Sequence, residues 1–227
     1  MNTQHSAPRL RFMKTALPLC LSLLAAPLAA HPHIFVNTGL VFVVDDQSRL
    51  THVQVTWEYD ELYSLLVTED LGVDSDYDGV LTAADIDLLT GFDMNWIEGF
   101  NGDLVGTVAG QAVQLSQPMS ATADFKDGKI TTTHIRSIAG GPSLAEGAVF
   151  KPYDATFYTA YDVTLPVQVQ GNPACEIDMK VPDVEGALAL LQAEIAALPE
   201  DYDMEAMGFG NIGVQFATEV EIACAAS

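Results

Sequence analysis

Twelve consecutive residues, Asp74-Ser75-Asp76-Tyr77-Asp78-Gly79-Val80-Leu81-Thr82-Ala83-Ala84-Asp85, carry oxygen donors in the spacing of a calcium-binding loop of the EF-hand type. Alternate carboxylates, Asp74, Asp76 and Asp78, converge on one hard cation. Gly79 permits the sharp turn, Val80 offers its backbone carbonyl, Thr82 holds the ninth position, and Leu81 turns inward to pin the loop. Asp85 stands at the twelfth position, where Glu is usual. Its side chain is one methylene shorter and reaches an ion through one oxygen, which weakens calcium relative to magnesium. The loop occurs once, whereas sensor proteins pair theirs. A solitary loop in a calcium-rich compartment reads as a structural clamp, with a dissociation constant of roughly 0.1–1 mM; the bland alternative is an acidic turn that binds nothing.

The second constellation is His31-Pro32-His33. If the mature chain starts at His31, its α-amino group and imidazole can chelate one transition metal, copper, nickel or zinc. Chelation by a third-position His through backbone nitrogens needs an N–H at residue two, and Pro32 has none. His31 and His33 face the same way on an extended segment. With a hairpin turning at Asp45 to Ser48, position 33 lies near Tyr59, so that Asp60 and Glu61, and less so Glu58, can add a carboxylate. His52 then falls opposite about Leu40, roughly 20 Å away by strand rise, and His134 has no assigned place. The plain alternative is that both leading histidines are solvated terminal residues. Met204 and Met207 offer soft sulfur to copper, but flexible core filler explains them as well. No GxSxG, SxxK, HExxH, phosphate loop or dinucleotide fingerprint occurs, and the expectation is a protein that is not an enzyme.

Residues 1–30 have the form of a secretory signal: Arg9, Arg11 and Lys14, an apolar run Thr15 to Leu24, then Ala25-Ala26-Pro27-Leu28-Ala29-Ala30. The run is short for a membrane span. Cleavage after Ala30 predicts a periplasmic protein of a single domain, residues 31–227, that does not span the membrane. Removing the three basic residues of the leader leaves six against 31 acidic, a net charge of about 6 − 31 = −25. Such a surface repels nucleic acid and anionic lipid; it reads either as a solvated acidic surface suited to a salty medium or as one that attracts metal cations. Cys175 and Cys224 survive cleavage and, in an oxidising compartment, read as a disulfide between a late strand and the last residues.

These sites need a scaffold. Apolar alternation predicts strands over His33 to Val44 and Leu50 to Trp57, joined by the turn Asp45-Asp46-Gln47-Ser48. Helical period follows over Tyr59 to Leu71, with Leu62, Leu65, Leu66 and Leu71 on one stripe, and over Ala83 to Phe100, so that a helical insert at 59–100 frames the loop. Further strands are expected at Leu104 to Val108, Ala112 to Leu115, Ser120 to Phe125, Lys129 to Ile138, Ala148 to Phe150, Ala155 to Leu165, Ala174 to Val181 and Val214 to Cys224. A short helix over Val184 to Leu198 lies between Pro182-Asp183 and Pro199. The fold class is therefore α+β: a mainly antiparallel β-sandwich with an inserted EF-hand-like helix–loop–helix and one further short helix.

Taken in order, His31-Pro32-His33-Ile34-Phe35-Val36, Trp57-Glu58-Tyr59-Asp60-Glu61, the loop 74–85, Tyr153-Asp154-Ala155-Thr156-Phe157-Tyr158, Cys175 and the ending Gly213 to Cys224 resemble the bacterial family called domain of unknown function 1007. The resemblance implies a periplasmic component encoded beside nickel/cobalt or zinc transport machinery. It also adds Asp154 to His31, His33 and Asp60 as a transition-metal ligand candidate. Two functions are expected: a metal-binding accessory that serves a metal-transport permease and handles Ni, Co, Zn or Cu, with calcium as a structural ion, or a calcium-stabilised scaffold for another envelope protein. A copper oxidoreductase with an N-terminal His chelate is a third.

Overall fold

The computed structural model describes residues 32–171, 174–199 and 210–225. The leader residues 1–30, His31, Met204 and Met207 lie outside them.

The chain opens with the expected hairpin, β1 (Ile34–Val44) and β2 (Leu50–Tyr59). Both strands bury every second residue: Val36, Thr38, Leu40, Phe42 and Val44 from β1, Val53, Val55, Trp57 and Tyr59 from β2. The register is displaced by about three residues from the one the expected turn implies. Asp45 Oδ1 accepts the N–H groups of Gln47 and Arg49, both at 2.9 Å, closing the turn on itself, and a bulge between Val43 and Val44 takes up one residue. Tyr59 therefore faces Val36 rather than His33, and His52 faces Val43 rather than Leu40.

Between the hairpin and the next strand come α1 (Glu61–Leu71) and α2 (Ala83–Leu89). Helix α1 begins two residues later than expected because Tyr59 completes β2. Helix α2 ends far short of Phe100: Thr90 caps it in extended conformation and Gly91 follows at φ 81°, and the chain then runs through turns. Of the leucine stripe of α1, Leu71 packs against the core but the other three face outward. Ser64 and Thr68 are buried, while Leu62, Leu65 and Leu66 are exposed. Ser64 Oγ accepts the Ile130 N–H at 2.9 Å, and that bond turns its face of the helix to the sheet.

Strands β3 (Leu104–Val108), β4 (Gln111–Ala112), β5 (Met119–Lys126), β6 (Lys129–Ser137) and β7 (Ala148–Pro152) follow near their expected places. The segment expected as one strand at Ala155 to Leu165 is instead a turn, β8 (Thr159–Asp162), a break at Leu165-Pro166 and β9 (Val167–Gln170). Proline has no N–H for a ladder, so the strand interrupts there. After β10 (Cys175–Lys180) and α3 (Val184–Ala196), a 3₁₀ turn over Gly213–Phe216 replaces the first part of the expected last strand, leaving β11 as Glu219–Cys224.

The strands form two sheets. One runs β5-β6-β2-β1-β8, with β9 also on β1; the other runs β10-β11-β7-β3-β4. Pairing is mostly antiparallel, as expected, with β8 and β9 lying parallel to β1 as the exceptions. Parallel pairing requires a crossover, and here the chain crosses from β7 in the second sheet back to the first. Buried residues from both sheets form one core, in which the Phe42 and Phe150 rings meet at 4.9 Å. No described helix is long and apolar enough to cross a membrane.

Cys175 and Cys224 face each other across β10 and β11 and form the expected disulfide, closing 49 residues of chain. In the chain-entropy treatment a loop of that length stabilises by about 4 kcal/mol. Urea melts of the Cys175→Ser/Cys224→Ser variant should show a loss of that order; a loss under about 1 kcal/mol would mean that the strand ladder alone holds β10 in place.

Candidate functional site

The acidic loop 74–85 runs from the end of α1 into the start of α2. At the start of α1, Asp60 is the N-cap: Oδ1 accepts the Tyr63 N–H at 2.9 Å and Oδ2 accepts the Phe35 N–H at 2.8 Å. At its end Gly72 turns left-handed at φ 70°, and the buried Val73 donates to the Thr68 carbonyl at 3.0 Å. The chain then coils tightly, with Gly79 at φ 74° as the sequence requires. Gly79 N–H donates to Asp74 Oδ1 at 3.1 Å and Val80 N–H to Asp78 Oδ1 at 2.8 Å. Leu81 packs against the core.

Ligating oxygens of Asp74, Asp76 and Asp78 lie within 4.8 Å of one another, and among the described residues they form the one such group of three. Three carboxylates this close repel one another. A hard divalent cation relieves that repulsion, and all-oxygen donors are what calcium and magnesium take. The donor chemistry therefore fits.

Thr82 and Asp85 do something else. Thr82 caps α2 and forms a reciprocal capping box with Asp85: Thr82 Oγ accepts the Asp85 N–H at 3.3 Å, and Asp85 Oδ2 accepts the Thr82 N–H at 2.9 Å and hydroxyl at 2.7 Å. The hydrogen bonds from Thr82, side chain then backbone, hold the Asp85 carboxyl below its ordinary pKa. Asp85 is thus not gathered with the triad, a departure from the twelve-position expectation. Its shorter side chain suits the cap at the third helical position. Val80 is exposed, as a loop-edge carbonyl donor would be.

The histidine constellation is less well supplied. His33 is exposed; its N–H donates to the Tyr158 carbonyl at 2.8 Å and its ring lies 4.7 Å from the Tyr158 ring. Asp60 gives both oxygens to backbone N–H groups, as described. Asp154 is committed in the same way: Oδ1 accepts the Thr156 N–H at 2.8 Å, Oδ2 accepts the Thr159 N–H at 3.0 Å, and the Thr156 hydroxyl contacts both. The Asp154 turn is clamped from behind, since a Cβ on Gly213 would stand 1.7 Å from the Asp154 carbonyl, and Phe157 stacks on Phe216 at 3.9 Å. His33, Asp60 and Asp154 accordingly form no second ligand group among the described residues. His52 Nδ1 lies 3.1 Å from the Thr51 hydroxyl, well along the hairpin.

The residues that sequence reasoning left unplaced occupy the interior. On β6, Ile130, Thr132, His134 and Arg136 alternate onto the buried face. This period-two pattern is the signal that could have found them. His134 is 1 % exposed, its ring 4.8 Å from Trp57 and 5.5 Å from Trp96, and neither ring nitrogen has a hydrogen-bond partner. Arg136 donates to the carbonyls of Asn101 at 2.6 Å and Ser116 at 2.8 Å, with its guanidinium 5.0 Å from the Trp96 ring centre. Asp93 Oδ2 accepts the hydroxyls of Tyr59 and Thr132, both at 2.7 Å, and Asp103 accepts the Tyr161 hydroxyl at 2.9 Å. Burial pushes His134 down to about 4, with Arg136 adding to the effect. Burial pushes Asp103 up to about 6, aided by the charge of Asp154 and opposed by the Tyr161 hydrogen bond. These groups belong to the largely buried side of the first sheet and the loops that cover it.

A family model described as a protein of unknown function, DUF1007, matches residues 16–224. No curated protein matches the chain.

The two shifted interior groups set opposing pH dependences. Folded His134 refuses a proton that the unfolded chain accepts near 6.5, so its contribution to stability is complete above pH 6.5 and is lost as pH falls toward 4. Folded Asp103 takes a proton near 6 that the unfolded carboxyl takes only near 3.8, so its burial penalty is present above pH 6 and is relieved as pH falls to 3.8. Between these limits the two offset each other. Asp103→Asn should therefore make the protein more acid-labile than wild type, and His134→Leu less so. Urea melts at about pH 7 and about pH 4.5 read the difference; variants whose offset from wild type is the same at both values would refute the assignment.

Proposed function

This chain belongs to the DUF1007 family, whose function is unknown, and from that premise we propose that it is an exported, calcium-stabilised protein of the cell envelope. The observation that carries the reading is the convergence of Asp74, Asp76 and Asp78 in the turn between α1 and α2. In this reading the two sheets are a β-sandwich and the insert is an EF-hand-like helix–loop–helix. Calcium bound by the three carboxylates and the Val80 carbonyl, with Thr82 and Asp85 behind them, fastens the insert to the sheet beneath. The Asp85 capping box supports a weak, structural site over a sensor site, because an ion that recruits Asp85 must draw it away from the α2 cap. Export fits the leader-like start, and a periplasmic address fits the disulfide, which persists in oxidising compartments. Work of this kind is scaffolding, not catalysis.

The second reading is a metal-binding accessory that passes Ni, Co, Zn or Cu to or from a metal-transport permease. It is favoured by the position of His33, exposed on the first described residues and held against Tyr158. The engagement of Asp60 and Asp154 with backbone N–H groups narrows the ligand set to His31 and His33. Import and export are both compatible with such a site.

Thermal melts test the first reading. About 10 mM calcium acting on a site of about 1 mM affinity stabilises by about 1.4 kcal/mol, a rise of roughly 3–5 °C in midpoint for a domain of this size. The Asp74→Asn/Asp78→Asn variant should lose the rise, whereas an unchanged wild-type midpoint would dismiss the calcium clamp. For the second reading, titration of the processed protein with nickel, zinc and copper should give one binding event that disappears in the His31→Ala/His33→Ala variant. Identical titrations of the two proteins would remove the transition-metal role.

A further inference from the structure

Helix α1 presents three leucines to solvent. Leu62, Leu65 and Leu66, at the i, i+3, i+4 spacing of a recognition face, are 65 %, 42 % and 55 % exposed, while the face toward the sheet is closed by Ser64 and Thr68. Beside Leu66 a groove of about 390 Å³ runs between the helix and Phe92, lined by Tyr63, Val67 and Leu71, with Asp70 at its margin. Solvated helices normally turn leucines inward, and an exposed contiguous apolar face of this kind marks an interaction surface.

Charge identifies the occupant. No lysine or arginine occurs between Arg49 and Lys126, and residues 60–100 hold eleven Asp and Glu. Glu61, Glu69 and Asp70 flank the leucines on the exposed side of α1; Lys129 approaches at the first turn, 3.9 Å from Glu61. A second copy of this chain would bring two acidic inserts together, and an anionic lipid surface would meet the same repulsion. We propose that the α1 face and its groove dock a cationic amphipathic helix of a protein partner, with apolar residues over Leu62, Leu65 and Leu66 and basic residues against the surrounding acids. Apolar anchors then supply the affinity and the acidic field the steering and the choice of partner. The inference extends the scaffold reading by naming its partner class. It stands apart from the calcium loop, which the melting experiment tests separately.

The probe is a fluorescently labelled leucine–lysine peptide with its leucines on one helical face, compared with a scrambled peptide of the same composition. Fluorescence anisotropy with the purified full chain should show tighter binding of the amphipathic peptide. The Leu62→Gln/Leu65→Gln/Leu66→Gln variant should bind it about tenfold more weakly, with an unchanged far-ultraviolet circular dichroism spectrum. Leu190→Gln, an exposed leucine on α3, should bind as wild type does. Should the triple variant fail to fold, Leu62→Gln alone, at the most exposed of the three, should weaken binding about threefold. Equal affinity for the amphipathic and scrambled peptides, or for wild type and the leucine variants, would overturn the proposal. So would a dimer in sedimentation velocity, or adsorption to phosphatidylcholine/phosphatidylglycerol vesicles, that the leucine substitutions abolish.

Discussion

The carboxylate of Asp60 is the joint on which the helical insert hangs. It closes the end of the first hairpin by accepting the Phe35 N–H at 2.8 Å, and it starts α1 by accepting the Tyr63 N–H at 2.9 Å. Because the cap fixes where the helix begins, it fixes the helix phase. That phase sends Ser64 inward to the Ile130 N–H and leaves the leucines outside. It also sets where α1 ends, and hence where Gly72 and Val73 deliver the chain to Asp74. Asp60, a metal-ligand candidate from its chemistry, gives both oxygens to backbone N–H groups, and the acidic loop depends on it at one remove.

Much of this was legible in the sequence, for identifiable reasons. The first hairpin, β5 and β6 were readable because period-two burial and turn residues coincide. The convergence of Asp74, Asp76 and Asp78 was readable because the three lie at alternate positions of one short loop, so chain geometry alone brings them together. Cys175 and Cys224 needed only an even count. The failures share one cause, which is that tertiary bonds overrule local period. A helical pattern over Leu62, Leu65, Leu66 and Leu71 identifies a helix but not which side meets the sheet, and one hydroxyl at position 64 decided that. The pattern beyond Leu89 was broken by Gly91. The Asp154 turn and the partner strands of β1 depend on segments remote in sequence, such as Gly213, and no local signal announces them.

The interior shows the same tension. Where the insert covers the first sheet, Tyr59, Asp93, Thr132, His134 and Arg136 replace the aliphatic filling found nearer Phe42 and Phe150. Arg136 is satisfied by carbonyls from two loops, Asn101 and Ser116, and so orders stretches that have no ladder of their own. Neutral His134 sits among indole rings, where a charged imidazole beside Arg136 would be strongly disfavoured. Polar groups here specify how the irregular stretch from Thr90 to Asp103 lies on the sheet, a task that interchangeable aliphatic side chains perform less selectively.

The arrangement around β1 has a kinetic side. This strand is the first of the described chain, yet one of its edges is completed only by β8 and β9, which come after β3, β4 and β7 of the second sheet. Contacts between segments so far apart are slow to close. Until they do, a long, apolar strand offers an open row of backbone donors and acceptors, the same template that strands of other chains can use. A protein with this topology has a dangerous adolescence: the longest of its described strands is, for a time, an adhesive edge, and the interval before residues 159–170 come home is when it most needs to be kept apart from its own copies.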